Sequence, residues 1–515
     1  MMAQKPQFIQ SFKRPAGTEI KLINGRYYLY ERKSVYDPLT KRKKKKSGAF
    51  LGTITEEGFI PKKEKVDQQE LREIQCVEYG ACSYLYQTNK TMMDSLKRFF
   101  PESWKTIFTL AALKCIGETS LKRVQACYET SYLSVLFPRL GLSASSLTNI
   151  MRNLGKNRDG ICSYMRNGLS SYSGFILVDG YRIISESQNM PLAQMGYDSR
   201  MRYKPQVNLL YLFGRSDGMR LPLYYKQFSG SVPDCLALPD IADEAGIGGS
   251  EITVIADKGF GSEDDFRAIT ESGMHYIIPL RRNTTEIQIP ENTSLYPHAF
   301  NFRQRSVFWT SSIKDGYKVV VYYDMLLAMH ETNDLICRLE KKNNTMTAML
   351  EKEEIRRSKG KKRLTDEQIA SMQSIDVAST VQQRNRIGTF ILKTDRPDLD
   401  ESQIYALYKT RQEIEQNFKC YDDTLDLDAS FMQNQDAFEG WLFINHLALQ
   451  MLYGILDYIA QANLAAKYSF KDVVRILKGI RANKINGQWR LTQFTKNIKK
   501  LCTDLNIEID DPLVG

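Results

Sequence analysis

A mixed α/β sheet is the fold class that the sequence predicts. Between residues 173 and 281 the pattern runs as three strands, a helix, a strand, a helix and a strand. GFILVDG (174–180), VNLLYLFG (207–214) and RLPLYYKQFSG (220–230) are apolar runs of strand length, and 234–246 is helical. EITVIADKGF (251–260) is a buried strand, 262–272 a helix, and MHYIIPL (274–280) another strand. Consecutive strands pair antiparallel, whereas strands separated by a helix pair parallel, so one sheet must contain both kinds. GTFILKT (388–394) returns to strand after an interruption at 282–386.

Composition sets the scale. At 515 residues the chain is long enough for about three domains. An apolar content of 42% with 11% aromatics is that of a chain with real cores. The net charge is +11, and residues 1–65 carry nearly all of it, with 16 Lys and Arg against 6 Asp and Glu. A basic arm on a near-neutral body predicts a polyanionic partner, most simply nucleic acid; a solubilising tail is the plainer reading. The nine cysteines form no C-x-x-C pair, and none of the four histidines stands near them at zinc-ligand spacing. Scattered thiols of this kind suit a reduced, cytoplasmic setting. The N-terminus lacks the apolar stretch of a signal peptide. The most apolar helix, Trp441 to Ile455, is interrupted by Asn445, His446 and Gln450 and reads as too short and too polar for a bilayer, so no membrane partner is expected.

Residues 19–60 alternate as strands, with turns at Asn24-Gly25 and Asp37-Pro38. The run Lys41-Arg42-Lys43-Lys44-Lys45-Lys46 is expected in a loop, in solvent or on phosphates. Residues 67–165 read as helices. In 140–158, Ser143 is a plausible N-cap, and Leu147, Ile150, Met151 and Leu154 form a buried face. Ser145, Ser146, Asn149, Arg152 and Asn153 stay outside, where a DNA-reading helix would present them, although an ordinary core helix with a polar face explains them equally well. In the interruption, RQRSVFWTSSI, YKVVVYYDML and ETNDLICRL look like strands, and 347–375 is a charged helical stretch. Residues 401–421 are a helix with Ile404, Leu407, Tyr408, Ile414 and Phe418 on its apolar side, and a further helix covers 436–462.

Two strands, 174–180 and 251–260, end alike: apolar residues, then Asp179 or Asp257, then Gly or Lys-Gly. A carboxylate at the end of a buried strand costs free energy unless it has a partner or ligand. In open α/β sheets the carboxyl ends of strands are where ligands bind. Two carboxylates brought close repel each other unless they share a cation. Glu415, flanked by Ile414 and Phe418, supplies a third oxygen ligand for Mg2+. Two such ions about 3.5–4 Å apart would serve in-line displacement at phosphorus. Tyr408 and Arg411 share a helical face with Glu415, so Arg411 is placed to grip a phosphate. Each residue also has an ordinary reading: a strand-terminal Asp as a turn or N-cap residue, and Arg411 and Glu415 as an i,i+4 salt bridge.

Together these segments resemble a known family. YKTRQEIEQNFK (408–419), with Tyr408, Arg411 and Glu415, resembles the Y-x2-R-x3-E-x6-K signature of bacterial insertion-sequence transposases, in the insertion-sequence-four superfamily of the DDE (Asp-Asp-Glu) class. LVDG (177–180) resembles their first-Asp strand and VIADKGF (254–260) their second. The resemblance covers about 170–455, and the interruption falls where this branch carries a mainly β insertion. It implies an RNase-H-like catalytic core with Asp179, Asp257 and Glu415 as catalytic residues and ligands of two Mg2+ or Mn2+ ions. It implies Tyr408 and Arg411 as DNA contacts, with Lys258 beside the second Asp. The signature's last Lys falls on Asp422, so Lys419, one helical turn earlier, is the candidate in its place. Trp309, in the insertion, is a candidate to stack on a base flipped from the DNA end, and Lys41, Arg42, Lys43 and Lys44 are candidate phosphate contacts of the arm.

The expected organisation is then a basic β-rich arm (1–66), a helical DNA-binding region (67–168), the first part of the core (169–281), the insertion (282–386), the second part of the core (387–462) and a C-terminal region (463–515). The expected function is metal-dependent cutting and joining of DNA at the ends of an insertion sequence, with terminal inverted repeats and target DNA as partners, a homodimer in the synaptic complex, and a cytoplasmic, nucleoid-associated location. Two other readings stay open on the sequence: a nuclease on the same core without strand transfer, and a non-enzymatic DNA-binding protein derived from a transposase.

Overall fold

The computed structural model describes residues 6–512 apart from 38–40, 63–73, 118–120, 171, 173, 198–202, 217–218, 248–251, 362, 371, 373–374, 383–385, 412–429, 431 and 486. It divides into two compact units: Met1–Gln75 with Asn483–Arg490 and Leu513–Gly515, and Cys76–Ala482 with Leu491–Pro512.

The first unit is a four-stranded antiparallel meander of β1 (Thr18–Ile23), β2 (Arg26–Asp37), β3 (Arg42–Thr55) and β4 (Gly58–Pro61). Asn24 and Gly25 turn the first hairpin with φ of 49° and 75°, the left-handed geometry such a tight turn requires. Ile9, Leu29 and Ile54 are its buried core. The lysine run does not form a loop. Only Lys41 is in a turn, and Arg42 to Lys46 continue β3, paired with β2 from Asp37↔Arg42 to Lys33↔Lys46. Backbone pairing with β2, a partner distant from the run itself, sets this conformation, which the local charge pattern could not show. Beyond Glu31 and Gly52 neither β1 nor β4 pairs with this hairpin, so among the described residues it continues as a two-stranded ribbon.

In the second unit the core strands are β5 (Phe175–Ile184), β6 (Tyr203–Ser216), β7 (Met219–Ser229), β8 (Thr253–Ile255) and β9 (His275–Leu280). Helix α4 (Asp234–Ala245) joins β7 to β8 and α5 (Glu263–Glu271) joins β8 to β9, as the sequence predicts. The spatial order is β7-β6-β5-β8-β9, with the first three antiparallel and β8 and β9 parallel to β5. This order, third-second-first-fourth-fifth, is that of an RNase-H-like core. A short strand, Gln194–Tyr197, which the sequence pattern did not reveal, pairs with the start of β6.

The insertion extends the same sheet. β10 (His298–Phe302), β11 (Arg305–Lys314) and β12 (Tyr317–Asp324) form a meander, and β13 (Thr389–Thr394) closes it between β12 and β9. The insertion is less β-rich than expected: the segment ETNDLICRL (331–339) is not a strand but part of α6 (Met325–Ser358), a 34-residue helix. Its half-buried residues include Leu335, Leu339, Asn343, Met346 and Leu350. Their three-and-four spacing is helical, and the alternation suggested by this short stretch was incidental. Asn343 bonds both backbone groups of Ile375 on the returning chain.

Helices cover the sheet. α1 (Trp104–Cys115) and α2 (Ala144–Lys156) pack on α7 (Gln435–Gln461), which lies against β7, and α3 (Arg158–Ser170) joins α2 to the sheet. Ser143 caps α2 by accepting from the Ser146 N–H, and Leu147, Met151 and Leu154 are buried, as expected, while Ile150, expected with them, is half-buried. Helix α7 is 27 residues long, long enough to cross a bilayer, so shortness does not argue against a span. Burial does: 72% of its most apolar stretch is inside the protein. Two glycines let α2 and α7 touch. A Cβ on Gly155 would stand 1.8 Å from the Asp436 carbonyl oxygen, and one on Gly440 would stand 2.1 Å from that of Met151.

An alanine at an ordinary helical glycine stabilises by roughly 1 kcal/mol. Gly440→Ala is therefore expected to reverse the sign and destabilise by about 1–3 kcal/mol through overpacking, read as a lower urea midpoint. A second expectation concerns His446, wholly buried on α7 and packed against the rings of Tyr211 and Tyr225. Burial pushes its pKa down from 6.5 to about 3. Between those values the unfolded chain binds a proton that the folded chain refuses, so stability is full above pH 6.5 and falls as pH drops towards 3, by up to about 1.4 kcal/mol per pH unit. His446→Phe should flatten that acid limb in urea titrations between pH 6 and 4; an unchanged slope would refute the assignment.

Candidate active site

The site begins with register. β8 pairs parallel with β5 as Thr253↔Phe175, Val254↔Ile176 and Ile255↔Leu177. Carried two residues further, the register sets Asp257 beside Asp179. The two aspartates therefore meet at one sheet edge because apolar runs of equal length precede them. Their local settings differ. Asp257 follows its strand and caps the single turn Lys258–Phe260, taking the Lys258 N–H on Oδ1 at 2.6 Å. Asp179 does not end its strand: β5 runs on to Ile184, with Tyr181 and Ile183 buried along β6.

Residues 401–411 are helical, and this helix brings a cation between the aspartates. Arg411 Nη2 lies 3.2 Å from Asp179 Oδ1 and 3.8 Å from Asp257 Oδ2. The Arg411 side chain is 8% exposed, Asp179 16% and Asp257 47%. Ile404 and Tyr405 are the wholly buried residues of this helix; Leu407 and Tyr408 are half-buried. Tyr408 stacks on Phe390 of β13, with ring centroids 6.1 Å apart. Glu415, Lys419 and Asp422 lie outside the described residues. Lys258 is exposed next to Asp257. Trp309, on β11, is half-buried and stacks on His298 across the β10–β11 pair at 4.4 Å. In the other unit Lys41 is exposed in its turn, and Arg42 and Lys43 are exposed on the ribbon.

The structure adds residues that sequence reasoning missed. Asp234, the first residue of α4, ion-pairs with Arg182 of β5 at 3.2 Å. Burial, with the charge of Asp257 nearby, raises its carboxyl above the usual range even though Arg182 opposes this. A second group lies under the helix. Asp324, where β12 passes into α6, takes the Tyr405 hydroxyl at 2.6 Å and faces Arg305 at 3.2 Å and Lys409 at 3.8 Å. Burial opposes its charge, but the Tyr405 hydrogen bond and the two cations outweigh burial and hold its pKa low. Burial lowers that of Lys409. The available signals were slight: a Pro-Asp pair opening a helix, and a Tyr and a Lys beside the signature residues.

A family whose description is "Transposase DDE domain" matches residues 183–451, just over half of the chain. The chain belongs to this transposase family. The matched span contains Asp257, Tyr408, Arg411 and Glu415 and begins four residues after Asp179. No curated protein matches the sequence significantly. Among solved structures, a piggyBac transposase in a synaptic complex with hairpin DNA is similar at 11% identity and a TM-score of 0.37, over 78% of this chain and 76% of that one. At that level the strand order of the sheet, rather than the superposition, identifies the core of this DDE transposase.

Among the described residues no three acidic, His or Cys side chains converge closely enough to hold a metal. The Asp179–Asp257 pair nonetheless fits a divalent cation, because its hard oxygen donors already face one shared positive charge. In this arrangement the Arg411 guanidinium balances them. Replacing it with the neutral Arg411→Met removes the competing cation, so Mn2+ is expected to bind several-fold more tightly, about 1 kcal/mol of affinity, in calorimetric titration. Weaker binding would mean that Arg411 organises the carboxylates rather than competing for them.

Proposed function

We infer that this transposase cuts and joins DNA at the ends of an insertion sequence of the insertion-sequence-four type, with Asp179, Asp257 and Glu415 as its catalytic carboxylates. The observation that carries the reading is the placement of Arg411, from the Y-x2-R-x3-E segment, between two aspartates that the sheet register brings together. Two Mg2+ or Mn2+ ions held by these carboxylates would activate an oxygen nucleophile and stabilise the leaving oxygen at phosphorus. The chain's own residues provide the setting. Asp179 on β5 and Asp257 just past the end of β8 are set side by side by the pairing of those strands, and the helix 401–411 is anchored by buried Ile404 and Tyr405.

Tyr408 and Arg411, together with Lys419 and Lys258, are assigned to the phosphates near the cut. Arg411 exchanges its carboxylate partners for phosphate oxygens as DNA and metal arrive. Trp309 is assigned to a base displaced from the end. Lys41 at the turn and Arg42, Lys43 and Lys44 on the ribbon hold the DNA backbone by charge. The working form is a homodimer on paired terminal repeats, located with the nucleoid in the cytoplasm.

The test is cleavage of a DNA fragment carrying the gene's own flanking ends. Breaks at those ends in Mg2+, absent in EDTA and abolished by Asp257→Ala, are the expected result. Breaks without joining to a target plasmid would make the protein a nuclease on this core. DNA binding without breaks in Mg2+ or Mn2+ would make it a DNA-binding relic.

A further inference from the structure

β5 outruns its neighbour. β8 pairs only with residues 175–177 of β5, while β6 follows β5 to Ile184. From Asp179 onward, among the described residues, no strand pairs with the edge of β5 that β8 leaves, and the Ser430 N–H closes its far end on the Ile184 carbonyl at 2.8 Å. Asp179 opens this edge and Arg182 stands on it three residues later, about 10 Å along the strand.

Arg182 is fixed there by an unusual approach. Alternation along β5 puts Gly180 and Arg182 on one face and Asp179 on the other. Asp234 lies directly against Gly180: a Cβ at that position would come 2.1 Å from Asp234 Oδ2 and 2.4 Å from Cγ. The glycine after Asp179 thus makes room for the carboxylate that reaches Arg182 at 3.2 Å. Asp234 is 21% exposed at the side chain and Arg182 35%. A partly exposed pair of this kind adds little stability, whereas drawing its carboxylate towards Asp257 costs some. The pair therefore does more for the placement of Arg182 than for the fold. A partly exposed arginine, held by a carboxylate close enough to Asp257 to feel its charge, matches a DNA phosphate in shape and charge.

We propose that Arg182 is a DNA-phosphate contact of the catalytic centre, gripping a phosphate that flanks the cut, and that Asp234 is the positioning residue that holds it. This rests on the transposase reading. The test uses the full-length chain and a duplex bearing the gene's own end, with binding followed by fluorescence anisotropy in EDTA over a range of salt. Arg182→Ala should weaken binding and lower the slope of log K against log salt by about one, while Arg182→Lys keeps the slope. Asp234→Asn should keep the slope, because the arginine remains, and reduce kcat for cleavage without raising KM. An unchanged slope in Arg182→Ala, with parent and Arg182→Lys alike in thermal stability, would overturn the proposal and leave the pair a structural contact. Absence of salt-dependent DNA binding by the parent protein would instead overturn the transposase reading itself.

Discussion

Two like charges at one sheet edge constrain the rest of this chain. The parallel register of β5 and β8 brings Asp179 and Asp257 together whether or not a partner is present. Without a cation the arrangement would be self-repulsive, and the fold answers with an arginine 232 residues beyond Asp179 in sequence. Everything between must return the chain to this point. The insertion does so by adding its strands to the core sheet, so that β13 ends beside the start of β9 and the helix that follows runs back to bring Arg411 to the site. A balanced carboxylate pair of this kind is also one that a metal and a phosphate can divide between them, the metal taking the aspartates and the phosphate taking the arginine.

Buried charge organises the opposite end of the sheet as well. Glu439, on the core helix α7, is nearly inaccessible, yet it accepts from Arg158 at 2.6 Å and from the Tyr225 hydroxyl at 2.8 Å on one oxygen and from Gln227 on the other. Arg158 also bonds Glu244 of α4 and the Tyr225 carbonyl. One arginine thereby ties α3, α4, α7 and β7 together. Such a network adds little net stability over a packed apolar core, but breaking one member leaves a buried charge unpaired, which penalises alternative packings. The close approach of α2 and α7 at Gly155 and Gly440 works in the same direction, because only one relative placement of the two helices lets their backbones touch.

The insertion is coupled to the site through Asp324. This residue caps α6 by taking the Leu326 and Leu327 N–H groups, and its other oxygen binds Tyr405. Lys409 sits over the rings of Phe390 and Tyr405 in the same group. The start of the long helix and the helix carrying Tyr408 and Arg411 thus share one buried carboxylate. Lys393, on the neighbouring β13, is held similarly between Glu263 and Glu286 and the rings of Phe266 and Tyr317.

Much of the core was legible in the sequence. Apolar runs of strand length, helices of amphipathic period and two strands leading to aspartates are local patterns, and local patterns survive folding when one face must be buried. The apolar runs 207–214 and 220–230, the helix beginning at Ser262 and the cap at Ser143 are all of this kind. Local chemistry misled where the answer depended on a distant partner. The lysine run became a strand because β2 was there to pair with it, and 331–339 became helix because the returning chain covers one of its faces. The sequence by itself determined which residues could carry charge to the sheet edge and in what order. Tertiary structure alone decided that Arg411 would stand between the two aspartates and that Asp234 would reach Arg182 over Gly180. Those contacts join segments far apart in the chain, and their distances follow from strand register and backbone clearance rather than from any local preference of the residues involved.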